Sequence, residues 1–219
     1  MVKINKLKKI FFSLSSGQSL IELVVAISVI LIGVVSTLVL SLTTIRGGKA
    51  SEMQVVATNL AREGIEVVRQ KRDSNWLEIE SSSLPSSQWD QGLKNGNDYT
   101  AIARFDASTS SWTLDYPNGG SSIEECVDNE SCRIYFSDGI FAQYPSPPAG
   151  NWEATPYYRL IATYEICQDK DGNEYIDPDD HTCDAGDEKI GIQVLSQVKW
   201  YEKDNLQSLV FEEHLYNWK

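Results

Sequence analysis

Residues 17–42 run GQSLIELVVAISVILIGVVSTLVLSL, and positions 23–42 within them carry no charged side chain. Twenty apolar or small residues rise about 30 Å as a helix, which matches the hydrocarbon thickness of a bilayer. The alternative is a helix buried in a soluble core, but 20 consecutive charge-free residues, apolar on every side, argue for a membrane span instead. Before it lie Lys3, Lys6, Lys8 and Lys9 with no acid among residues 1–9. Such a basic flank stays on the cytoplasmic side and the remainder is translocated. A secretory signal would place small residues after its apolar core. Here Ser13, Ser15, Ser16 and Gly17 come before it.

The rest of the chain has a different character. The 219 residues hold 19 Lys+Arg against 31 Asp+Glu, a net charge of −12. Without residues 1–17, which contain four lysines and no acid, the balance is 15 − 31 = −16. An acidic surface argues against nucleic acid, whose phosphates need a basic footprint. A hydrophobic content of 42% is enough for a folded core. No period of 20–50 residues recurs, which excludes a solenoid.

The order of Lys8-Lys9, Gly17, Gln18 and Glu22 ahead of the apolar run resembles the class III signal of type IV pilins and pseudopilins. The resemblance implies cleavage after Gly17 by prepilin peptidase and methylation of the new Gln18 amine. One departure is Gln18 itself, where many members carry Phe. The resemblance also implies that Glu22 pairs with the N-terminal amine of a neighbouring subunit during assembly. Physical reasoning points the same way. A carboxylate beside hydrocarbon costs up to about 2.5–3.5 kcal/mol, so a residue that keeps one there calls for a partner.

Past the Gly47-Gly48 pair, which permits a bend, helical spacing resumes. Met53, Val56, Ala57, Leu60, Gly64, Val67 and Val68 recur at three- and four-residue steps. The spacing predicts an amphipathic helix over 50–72, ended by Asp73-Ser74-Asn75. Residues 59–77, NLAREGIEVVRQKRDSNWL, resemble the segment that follows the anchor in PilV-like minor pilins. The ends 190–204 and 208–219 resemble the close of the same proteins, including the terminal Asn217-Trp218.

Between them the chain reads as β-rich. Alternation predicts strands at 99–105, 112–116, 133–136, 157–166, 190–201 and 206–215, the last two joined by a turn at 202–205. Residues 78–98 are polar and broken, and 142–156 hold four prolines, so both read as irregular. The expected fold class is α+β: a long N-terminal helix, half membrane-spanning and half amphipathic, on an antiparallel sheet, as in pilins. Its parts are a leader (1–17), a membrane and assembly helix (18–45), its amphipathic continuation (46–77) and an extracytoplasmic head (78–219).

All four cysteines lie in that head, where disulfides persist. Three pairings are open, and the sequential one, Cys126–Cys132 with Cys167–Cys183, is the simplest. Zinc is the rival, but no CxxC pair exists and the spacing fits no common zinc module. Inside the larger loop, residues 169–180 (DKDGNEYIDPDD) resemble an EF-hand calcium loop. Asp169, Asp171, Asn173, Asp177 and Asp180, with the Tyr175 carbonyl, would supply the hard oxygens of one structural calcium ion. Two positions depart from the pattern: Glu174 stands where Gly makes the sharp turn, and Asp180 where a longer Glu reaches the ion. A solvated acidic turn held by a disulfide is the plainer reading.

No GxSxG, phosphate loop or HExxH occurs, and only two histidines are present, so an enzyme is not expected. The expected function is structural: a minor pilin of a type IV pilus or related filament. Its partners would be other pilins, prepilin peptidase, an inner-membrane assembly platform and, before assembly, lipid. It would span the cytoplasmic membrane once and then join a cell-surface filament. The alternatives are a pseudopilin of a type II secretion or DNA-uptake system, and a surface-binding module on a membrane anchor. For the last, Trp89 and Trp152 are the candidate contact residues.

Overall fold

The computed structural model describes residues 20–81, 85–95, 98–106, 109, 111–116, 121–177, 181–203 and 205–217. Gly17, Gln18, Asp180 and Trp218 lie outside the described residues. The chain divides into two compact units, 1–51 and 52–219.

Helix α1 covers Leu20–Glu80 and is α+β's helical half, the first part in one unit and the second in the other. It runs through Gly47-Gly48 without a break. The Asp73-Ser74-Asn75 stop predicted from the sequence is not used, and the helix continues two turns further. The reason is local. The Asn75 side chain is fully buried, and its Nδ2 donates to the carbonyls of Trp89 (3.0 Å) and Gln91 (2.8 Å). It ties the following turn to the helix instead of capping the helix end. Trp76 then fills the core at 5% exposure.

Eight strands are seen among the described residues: β1 (Thr100–Asp106), β2 (Ser111–Asp115), β3 (Arg133–Ser137), β4 (Ile140–Gln143), β5 (Glu153–Gln168), β6 (Glu174–Tyr175), β7 (Glu188–Glu202) and β8 (Asn205–Tyr216). Every pairing is antiparallel. The long strand β5 is central. On one side it pairs β7, which pairs β8; on the other it pairs β1, β3 and β6, with β2 beyond β1 and β4 beyond β3. The proline-rich stretch is more ordered than its composition predicts. Strand β4 reaches Gln143 and β5 already starts at Glu153. Pro156 sits just before the β7 pairing begins at Tyr157, where no ladder N–H is needed.

Alternation along β5 sends Tyr157, Ile161 and their neighbours to the helix face and Tyr158 and Leu160 to the other. On the helix face, Ala57, Leu60 and Ala61 pack with Ile134, Tyr157, Val198 and Trp200. Val67, Val68 and Trp76 pack with Ala103, Ile161, Val194 and Leu215. On the far face, a short helix α2 (Ile123–Asp128) covers Ile102, Tyr158 and Leu160. Its start is a capping box: Ser122 accepts from the Glu125 N–H, and the Glu125 carboxylate accepts from the Ser122 N–H. Lys199 on the sheet pairs with Glu124 in its first turn and holds that carboxyl below its ordinary range. The contribution is present at neutral pH and fades as pH falls through the lowered value.

Gly64 sets the helix-to-sheet distance. A Cβ there would run into Ser196 Oγ and lie 3.3 Å from both Arg159 Cδ and Ile161 Cδ1. Gly64→Ala should therefore destabilise the head. Overpacking costs about 1–3 kcal/mol, against about 1 kcal/mol gained in helix propensity. Adding Ser196→Ala removes the nearest atom and should recover most of the loss. All six tryptophans lie outside the apolar run, so urea unfolding followed by tryptophan fluorescence on the detergent-solubilised chain reads the head alone.

Candidate functional site: an exposed apolar helix and two disulfide loops

The first part of α1 is exposed throughout. Leu20 is 81% exposed, Ile32 67% and Leu40 66%, and no residue of its most apolar stretch is buried. By length and composition it can cross a membrane. Its hydroxyls are suited to that medium. Ser28 donates to the Val24 carbonyl and Ser36 to that of Ile32, both at 2.7 Å, and Thr37 to Val34 at 2.9 Å. Thr43 and Thr44 both donate to the Leu40 carbonyl. Each of these polar atoms is satisfied within the helix, as hydrocarbon demands. Glu22 lies in the first turn, where the helix dipole favours a negative charge. The next charged residue is Arg46.

In the head, both disulfides join cysteines in sequential order. Cys126–Cys132 links α2 to the start of β3 with its Cα atoms 5.6 Å apart. Cys167–Cys183 links the end of β5 to the acidic loop at 5.4 Å. Closing a loop of about 15 residues contributes about 3 kcal/mol in the chain-entropy picture.

The acidic loop is a short hairpin. Asp169 Oδ1 accepts from the backbone N–H of Asp171 (2.9 Å) and of Asn173 (2.8 Å), and Oδ2 accepts from Asn173 Nδ2 (2.8 Å). These bonds, the Asn173 side chain first, hold the Asp169 carboxyl below its ordinary range. Tyr175 lies in β6, opposite Cys167, and its hydroxyl donates to Asp187 at 2.8 Å. The Asp177 carbonyl accepts from the His181 N–H at 3.2 Å. Of the side chains read as calcium ligands, Asp169 and Asn173 are thus bonded to each other. Among the described residues, the carboxylates of Asp169, Asp171 and Asp177 form no group of three within 4.8 Å. The group that does meet that distance is Glu165, Cys167 and Cys183, and its two sulfurs are joined to each other. Glu165 has protein partners: Lys189 Nζ and the Cys183 N–H, both at 3.0 Å, and Lys94 at 3.8 Å.

The two tryptophans proposed for surface contact part company. Trp89 is 4% exposed, packed in the main core with Lys189 over its ring, so it offers no surface. Trp152 is half-buried, edge-on to Tyr144 at 5.3 Å between ring centres. The sequence had no cue to Arg159 and Gln143, a buried polar pair that joins α1 to β1, β4 and β5. Arg159 Nη1 donates to the Leu60 carbonyl and to Glu63, both at 3.0 Å, and Nη2 to the Ala103 carbonyl at 3.3 Å. No family model matches the chain, and neither the curated proteins nor the solved structures yield a match.

Proposed function

We propose that the chain is a minor pilin: a filament subunit that is held in the cytoplasmic membrane after synthesis and then polymerises through its N-terminal helix. The observation that supports this reading is the first part of α1. It is apolar on every side, is more than half exposed at most of its large side chains, and carries one carboxylate, Glu22, at its start. A surface of that kind is stable only when lipid or other helices cover it. A filament core made of such helices replaces lipid by helix without exposing the run to water. Glu22 then gains a cation, the Gln18 amine of a neighbouring subunit, in place of water.

In this reading the head is extracytoplasmic, its disulfides form there, and no catalysis is involved. A pseudopilin of a secretion or DNA-uptake machine uses the same helix, and the location of the mature chain separates the two. Half-exposed Trp152 favours a contact role for the head as a secondary property.

The test is at the terminus. Co-expressed with prepilin peptidase, the chain should lose residues 1–17 and begin at Gln18, whereas Gly17→Val should remain full-length. Equal processing of both, or of neither, contradicts the reading.

A further inference from the structure

We propose that Asn129 is an acceptor for an N-linked sugar, attached before the Cys126–Cys132 bridge closes. This rests on the extracytoplasmic placement of the head given above. Asn129-Glu130-Ser131 is the one Asn-x-Ser/Thr tripeptide in the sequence. It lies inside the disulfide loop, at the exposed C-terminal end of α2. Glu130 takes a positive φ of 59°, so the chain reverses at the surface here. The Asn129 Oδ1 accepts from the Ser131 N–H at 3.0 Å. That bond occupies the amide oxygen, while Nδ2 makes no hydrogen bond among the described residues and the residue as a whole is exposed.

Ser131 is the obstacle, and it fixes the timing. It is 7% exposed, and Cys132 beside it is fully buried. A transferase that reads the hydroxyl two residues after asparagine cannot reach it in the closed loop. The tripeptide is readable only while the two cysteines are apart, so sugar transfer and disulfide closure compete. In the transfer, Nδ2 attacks the anomeric carbon of a lipid-linked glycosyl diphosphate. The carbon–oxygen bond to phosphate breaks, the lipid diphosphate leaves with the bonding pair, and the amide proton passes to a base of the transferase. The new linkage keeps Oδ1, so the turn to Ser131 is preserved.

The experiment is mass spectrometry of full-length protein purified from membranes of its source cells, with free thiols alkylated before digestion. A hexose-bearing peptide spanning Asn129 is expected. It should be lost in Asn129→Gln and in Ser131→Ala, and its share should rise in the double variant Cys126→Ser, Cys132→Ser. Occupancy is read on the peptide, so a variant that folds poorly still reports. A bare Asn129 in a chain with a Gln18 terminus and a closed Cys126–Cys132 bond overturns the sugar proposal alone. A bare Asn129 with a Met1 terminus and free thiols overturns the placement on which it rests. Unchanged occupancy in the double variant overturns the competition.

Discussion

Arg159→Met should lower the stability of the head by about 3 kcal/mol, near the lower end of the range for breaking a buried charge network. The arginine is 1% exposed and reaches three elements at once. It meets the Leu60 carbonyl and the Glu63 carboxylate on α1, the Ala103 carbonyl on β1, and Gln143 Oε1 on β4 at 3.3 Å. Gln143, fully buried, passes the network on: its Nε2 donates to the Cys132 carbonyl at 2.7 Å and its Oε1 accepts from the Ala103 N–H at 3.2 Å. Methionine matches the aliphatic stem but takes the arginine's N–H donors away from all of these acceptors at once. The cost stays below the top of the range because the Glu63 side chain is 34% exposed and can turn to water. Arg159→Lys should recover only part of the loss, since one ammonium replaces a planar fork that serves separate acceptors. The measurement is the urea midpoint at constant m. A loss below about 1 kcal/mol, the size of an ordinary substitution, contradicts this account of the network.

Glu22→Ala should cut entry into the filament at least about tenfold and leave the head's unfolding curve unchanged. The substitution removes an acid from an otherwise charge-free helix start, so membrane retention should hold or improve. On the proposed assembly it loses the partner of the Gln18 amine, which would then enter an apolar environment uncompensated. A charge left unpaired in such a site costs several kcal/mol, so incorporation should fall by at least about tenfold. Glu22→Gln separates charge from shape. It keeps size and hydrogen bonding, and it should fail like alanine if the pairing is ionic. The readout is the ratio of subunit in sheared filaments to subunit left in membranes. Full incorporation of either variant refutes the role given to Glu22.

The parts of the fold legible in the sequence are those where a single period dominates. The apolar run, the stripe from Ala57 to Val68, and the strands β1, β2, β3, β5, β7 and β8 each carry one pattern strong enough to decide the element. The misses occur where a tertiary contact outweighs the local signal. Asn75 has the composition of a helix stop, but its amide is claimed by the carbonyls of Trp89 and Gln91. Strand β4 is four residues long beside a run of prolines, and only its pairing with β3 orders it. Helix α2 did leave a readable mark in Ser122-Ile123-Glu124-Glu125, the pattern of a capping box, hidden in a polar stretch. Trp89 reads as a loop residue in the polar stretch 78–98; the sheet and α1 close around it all the same. Nothing in a linear sequence marks Arg159 or Gln143 as buried, since both types are ordinarily exposed.

The candidate site was legible to a different degree. Glu22 and the exposed apolar run were visible at once, because charge and its absence need no tertiary context. The acidic loop was legible as a turn. The bonds that the Asp169 carboxylate accepts from Asp171 and Asn173 were not, because they form only once the turn has folded.

The most direct test of the central claim is mass spectrometry of filaments sheared from the source cells. The account predicts a peptide that begins at Gln18, with or without one methyl group on its amine, at low abundance relative to the main filament protein. A chain absent from the filaments and still carrying Met1 and its lysine-rich leader would contradict it.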